Sequence, residues 1–280
     1  MVRYILNLLF TILGICIIAS LPTLFRNDIG LLNFSLFFQN LSTLLKSLLS
    51  PFEVTYLSGM TERNLLENIL PYLKYSIVIL TSAYIAALLL GITFGIILTF
   101  NINNSIRKII NVLGSIPDIT IFFFLQWIFL LIYKKTGILL FQIAGGFENS
   151  YFIPIISLMF IPLIYFFRIT ILLLSEEMPK NYIEFAKSKG ISKTQLIKNH
   201  LFPNIKLKLY NYLKPGFWYT FSNLVILELI FNIQGIIWFI LNHQTAEVIA
   251  FSLILFLIPW NIFFVAVEAF MKKTKLRMNN

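Results

Sequence analysis

The stretch Tyr182–Asn204, YIEFAKSKGISKTQLIKNHLFPN, is the one long polar run in a chain that is otherwise nearly all hydrocarbon. Its local physics describes two short helices joined at a hinge. Pro179 suits a first helical turn, where the missing N–H is harmless. Ile183 and Ala186 share a face at i, i+3, and Gly190 is placed for the left-handed residue that closes a helix. A first helix is therefore expected from about Pro179 to Lys189. Ser192, with Gln195 three residues on, is a capping-box pattern that starts a second helix with Leu196, Ile197, His200 and Leu201 on one side. Pro203 marks a kink or an end. Lys187, Lys189, Lys193, Lys198, Lys206 and Lys208 decorate the segment, as they would in a basic loop held near anionic headgroups.

On either side of this run the chain is oily. Of the 280 residues 58% are hydrophobic and 12% charged, against a charged share of about 25% in soluble domains, so the chain is read as a polytopic membrane protein. The formal charge of +10 has no basic face interleaved with stacking aromatics to go with it outside the apolar runs, and no nucleic acid is expected as a partner. The lone Cys16 rules out an intrachain disulfide and a thiolate cluster. His200 and His243 are far apart in sequence, which argues against a histidine metal site. No catalytic residue, metal or cofactor is expected.

Six apolar runs have the length to cross about 30 Å of hydrocarbon. The first, Tyr4 to Phe25 between Arg3 and Arg26, is longer than a signal peptide's core and lacks a small-x-small cleavage site, so it is read as a retained span. From Arg26 to Leu70 the chain is mixed. Phe34, Phe37, Phe38, Leu41, Leu44, Leu45 and Leu48 recur at helical spacing opposite Ser35, Gln39, Ser42, Thr43 and Lys46, describing a helix in the membrane interface; a seventh span is the rival reading. The second run lies within Tyr75 to Phe100, with Gly91 and Gly95 forming a smooth stripe for close helix packing. The third covers 112–133, broken near its start by Ser115, Ile116, Pro117 and Asp118, and the fourth runs from Tyr151 to Leu174 with Arg168 inside it. Tyr212 to Phe231, containing Glu228, is the fifth, and Val248 to Met271 the sixth, separated by a short helix at 234–242 in the outer interface.

Charge placement orients these spans. With both termini cytoplasmic, Arg3, Arg107, Lys108, the eight lysines of 175–214 and the four basic residues Lys272, Lys273, Lys275 and Arg277 lie inside, against Arg26, Lys46, Arg63, Lys74, Lys134 and Lys135 outside. That asymmetry follows the positive-inside rule, and a seventh span would break it. The expected fold is an all-α polytopic membrane protein of six transmembrane helices. It forms a single domain over 1–280: first span 1–25, extracellular segment 26–70, five-helix core 71–271 with a cytoplasmic loop at 175–211, and tail 272–280.

Glu184, Phe185 and Ala186, three residues, Gly190, nine residues, then His200, Leu201, Phe202 and Pro203 resemble the E-A-A-x3-G-x9-I-x-L-P signature of permease subunits of binding-protein-dependent ABC importers. More narrowly, A-K-S-K-G-I-S followed by N-H-L-F-P-N resembles the oligopeptide, dipeptide and nickel group. Phe185 and Phe202 depart from the signature; the glutamate and glycine do not. The N-x-L-P start and L-G-I-x-x-G core of 66–98, S-I-P-D at 115–118, F-R-I-T at 167–170 and V-I-L-E-L-I-F-N-I-Q-G at 225–235 resemble further blocks of such permeases. The resemblance covers most of 60–275 and implies the type I importer permease fold, with cytoplasmic coupling helices, in a bacterial cytoplasmic membrane. It also implies as partners a second permease, two ABC ATPase subunits and an extracellular substrate-binding protein, and as cargo a peptide or a related solute such as chelated nickel. No G-x4-G-K-[ST] occurs, so ATP is expected to be hydrolysed on other subunits.

By that resemblance the helix pair couples the ATPase cycle to transport, a role that falls on Glu184, Ala186 and Gly190. Tyr182 and Ile183 are expected to join Glu184 in a mixed charged and apolar knob for a groove on an ATPase subunit. Charges inside spans are costly, about 2.5–3.5 kcal/mol on insertion scales, and are functional candidates by default. Glu228 either faces the substrate path or fixes helix packing; Asp118 either meets substrate or caps a helix start; Arg168 either lines the path or snorkels to the headgroups. Two rival functions match the sequence less well. An intramembrane protease would use Glu176 and Glu177 in an E-E-x3-R pattern, but Asn181 stands at the arginine position and no H-E-x-x-H exists. A carrier working alone would show internal repeats, and none is evident.

Overall fold

The computed structural model describes residues 2–25, 32–99, 112, 114–137 and 151–278. Among them the helices are α1 (Val2–Ser20), α2 (Phe34–Ser47), α3 (Leu65–Thr99), α4 (Asp118–Thr136), α5 (Phe152–Glu177), α6 (Asn181–Ser188), α7 (Lys193–Leu196), α8 (Phe202–Ile230), α9 (Ile236–Asn242) and α10 (Ala246–Met278). A two-stranded hairpin, β1 (Thr55–Ser58) and β2 (Thr61–Asn64), precedes α3. Five stretches are long and apolar enough to cross a membrane: Tyr4–Phe25, Leu65–Thr99, Asp118–Thr136, Phe152–Glu177 and Ala246–Ala269. The run expected at Tyr212–Phe231 is helical, on α8, but is not among the five; Lys214, Asn223, Glu228 and its Tyr and Trp residues dilute its hydropathy. The loop 101–111 and Gly145 and Gly146 lie outside the described residues.

The chain forms two compact units. One comprises 1–77 and 234–280. Here α1 packs on α10 through small side chains: Cys16, Ala19 and Ala250 are buried with Ile15 and, from α2, Leu44. Asn33 caps α2 by accepting the Leu36 N–H at 3.0 Å. The helix is 14 residues long, about 21 Å, too short for a span. Its apolar stripe divides, with Phe37 and Leu44 buried and Phe34 and Phe38 exposed.

The hairpin was not expected. Its antiparallel register, Thr55↔Asn64 to Ser58↔Thr61, closes through Gly59 at φ +66°, a left-handed geometry that glycine adopts without strain. Tyr56 is its buried anchor, its ring 5.4 Å from Phe239 and 4.8 Å from His243, while Tyr72 stacks on Trp238 at 5.7 Å. The N–H of Ile236, at the start of α9, donates to Ser76 Oγ at 2.8 Å. Burial and the positive charge of Arg63 hold the His243 imidazole below its ordinary pKa. A depressed histidine favours the neutral form, so its contribution is present above about pH 6.5 and is lost as pH falls through the lower folded value. Hydrogen exchange over 55–64, corrected for its intrinsic pH dependence, is expected to accelerate between pH 7 and pH 5, and His243→Gln to flatten that response.

The second unit comprises 78–233. Its centre is Phe166 of α5, fully buried, edge-on to Tyr84 at 5.6 Å. The glycine stripe of α3 does what its spacing promised: a Cβ on Gly91 would lie 2.8 Å from Phe166 Cβ and 2.9 Å from the Leu163 carbonyl, and one on Gly95 2.7 Å from Thr170 Cβ. A Cβ on Gly216 of α8 would lie 2.6 Å from the Phe166 ring, and the Tyr84 hydroxyl donates to the Leu213 carbonyl at 2.8 Å. Thus α3 and α8 both reach contact distance with α5.

Candidate functional site

Between α5 and α8 the polar run folds into a helical elbow. Helix α6 begins at Asn181, later than Pro179, because Lys180 takes the extended N-cap conformation. Ile183 and Ala186 turn inward onto Leu173, Leu174, Leu196, Leu201, Ile205 and Leu209, a cluster with every member 5% exposed or less. Gly190 closes α6 at φ +73°, its N–H bonded to the Lys187 carbonyl at 2.9 Å. Ser192 caps α7, its Oγ accepting the Gln195 N–H at 3.4 Å while its hydroxyl donates to Gln195 Oε1 at 3.1 Å.

The second helix does not stop at Pro203. It widens into a π turn over Ile197–Leu201 and runs on into α8. Proline supplies no N–H to the preceding turn. The wider turn, with the Phe202 N–H bonded back to the Ile197 carbonyl, absorbs that gap, and Asn204 Nδ2 donates to the His200 carbonyl at 2.7 Å.

The burial corrects the expected knob. Ile183 is fully buried and presents nothing outward; it and Ala186 hold α6 down. Tyr182 stays exposed at 36% but engages its hydroxyl inward, donating to Glu177 Oε1 at 2.6 Å and accepting from Asn204 Nδ2 at 3.0 Å. Burial and the adjacent Glu177 push its pKa up to about 12, so it remains a donor at neutral pH. The outward face is Glu184 with Phe185, which is 62% exposed and carries the Lys189 ammonium 4.3 Å above its ring.

Beneath the elbow lies a cluster that sequence reasoning missed. Glu177, the last residue of α5, is 2% exposed. Its Oε1 accepts from Lys180 Nζ at 2.7 Å as well as from Tyr182, and its Oε2 accepts from Lys208 Nζ at 3.3 Å. Lys208 also reaches Glu176, at 3.7 Å. The available signal was electrostatic: two glutamates at a helix C-terminus oppose the macrodipole and call for cations nearby.

The in-span charges divide. Asp118 does not cap α4; Pro117 holds the N-cap position. Asp118 instead ties α4 to α8, Oδ1 accepting from the Tyr219 hydroxyl at 2.8 Å and Oδ2 from Asn223 Nδ2 at 3.1 Å. Arg168 and Asp118 line a cavity of about 670 Å³ with Tyr165, Ser175 and Tyr219, walled largely by isoleucine. The Arg168 guanidinium sits where a Cβ on Gly114 would collide with it. Glu228 is 1% exposed on α8 and does not line this cavity. An apolar chamber with a cation and an anion on its wall suits passage or holding of a polar solute better than bond chemistry.

A family model described as binding-protein-dependent transport system inner membrane component matches residues 87–274, the stretch that contains the elbow and the cavity. A search of curated proteins finds no match.

Proposed function

The chain belongs to the family of binding-protein-dependent transport system inner membrane components, permease subunits of ABC importers set in the membrane, and from that premise we propose that it forms half of a pathway, for peptides or a related small solute, driven by ATPase subunits docked on its elbow. The proposed assembly adds a second permease, two ATPases and an extracellular binding protein. Its proposed topology has six spans, with α8 as the fifth, and both termini in the cytoplasm. The positive-inside count supports this, since the elbow then shares a side with the basic loop and tail.

The observation that carries the reading is the elbow's two-sidedness. Ile183 and Ala186 anchor α6 from within, leaving Glu184 and the exposed Phe185 as a charged and aromatic pair for a partner's groove. A permease must offer two packings and let another subunit's nucleotide cycle choose between them, and an exposed, firmly rooted helix is a handle for that choice. Asp118, Arg168 and Glu228 are assigned to the pathway or to its helix packing.

The test is Glu184→Ala in the assembled complex. Membrane insertion and ATP hydrolysis are expected to persist while uptake falls about tenfold or more, within the usual range of coupling between sites. Radiolabelled dipeptides and radioactive nickel serve as separate probes, so the same assay reads the class of cargo. Wild-type uptake by the variant would remove the coupling role.

A further inference from the structure

We propose that Glu177 is a positioning residue that clamps the elbow to both flanking helices, so that α6 and α8 move as one body when nucleotide drives the complex. The inference rests on the coupling reading above and assigns the part of the fold that transmits the motion.

Glu177 ends α5. Lys180 and Tyr182 belong to the N-cap and first turn of α6, and Lys208 and Asn204 to the first two turns of α8. One carboxylate therefore gathers donors from both elements that follow it: Lys180 Nζ at 2.7 Å, Tyr182 Oη at 2.6 Å and Lys208 Nζ at 3.3 Å. Asn204 closes the ring by donating to the Tyr182 hydroxyl at 3.0 Å. The other attachment of α6 is the apolar cluster around Ile183 and Ala186. Apolar contact is non-directional: it holds the helix down without by itself fixing the direction of its axis. Charge-assisted hydrogen bonds are directional and short, and they fix the angle. A carboxylate buried at the wrong end of a helix dipole is retained at a cost, which its three donors offset and which a merely solvated surface pair would not incur.

The experiment uses the full permease purified with its partner permease and ATPases. In a Cys16→Ala background, which removes the single native cysteine, spin labels go on the exposed positions Ser188 of α6 and Asn211 of α8. Their separation is measured without nucleotide and with ATP and vanadate, in wild type, Glu177→Gln and Tyr182→Phe. Wild type is expected to give one narrow distance that nucleotide leaves unchanged, because the two labels ride on one body. In the variants the distance is expected to become dependent on nucleotide. Broadening to the same extent in both nucleotide states would mark a structural tie and overturn the proposal, as would wild-type behaviour of both variants. Should Glu177→Gln fail to assemble, Tyr182→Phe, which loses one hydroxyl, decides alone. Glu184→Ala is run in parallel in the uptake assay: if it transports normally the coupling reading falls, whereas if it is uncoupled and the variants keep a nucleotide-independent distance only the clamp falls.

Discussion

Gly91→Leu is expected to abolish stable folding of the chain. The atoms a side chain would meet are Phe166 Cβ, the Leu163 carbonyl and the Phe167 amide, at 2.8, 2.9 and 3.1 Å, all backbone or first-carbon atoms that cannot rotate away. Helices α3 and α5 must then separate. Forced overpacking costs about 1–3 kcal/mol even where the surroundings relax, and here the burial around Phe166 would be lost as well. Membrane-inserted yield and thermal melting in detergent measure this. Gly14→Ala is the control, since nothing lies within 4 Å of that position, and it should melt like wild type. Equal melting of both variants would mean that the close approach of α3 and α5 does not form.

Gly190→Pro is the second large effect, on transport and not on folding. Proline holds φ near −65° where the chain needs +73°, and it removes the N–H that bonds to the Lys187 carbonyl at 2.9 Å. A left-handed site forced on an incompatible residue costs about 1–3 kcal/mol, and the elbow relieves that strain by changing the angle between α6 and α7. The elbow lies between membrane segments, so inserted protein should remain near wild-type amount while ATP-driven uptake is lost. Gly190→Asn tolerates the left-handed region and is expected to keep most of the activity. Loss of uptake in both variants to the same degree would point away from the backbone angle as the cause.

The elbow was legible in the sequence because its signals are local. Gly190 and Ser192 act within a few residues of themselves, and both do in the structure what their residue types dictate. The glycine stripe at Gly91 and Gly95 was legible for the same reason. The facing of α6 was only half legible: the i, i+3 spacing of Ile183 and Ala186 defines an apolar face, but not whether it covers the chain's own core or a partner's. The Leu173, Leu174 and Leu201 cluster settles that, and it draws on residues up to 36 positions apart, from Leu173 to Leu209. The Glu177 cluster was invisible for a related reason, since Lys208 is 31 residues away. The hairpin escaped because two four-residue strands are too short for alternation to stand out beside apolar helices. Pro203 was half legible: of the kink or end its type allows, the end does not occur, because a π turn carries the chain on into α8.

Helix α3 is longer than the hydrocarbon it has to cross. Its 35 residues measure about 52 Å at the helical rise, whereas a bilayer core of about 30 Å crossed at the steepest usual tilt, about 40°, takes up only about 39 Å. Roughly 13 Å, the length of nine residues, therefore lies outside the hydrocarbon, and the amino-terminal turns with Glu67, Asn68 and Lys74 are the polar end. The β1–β2 hairpin, joined directly to those turns, is thereby kept out of the hydrocarbon.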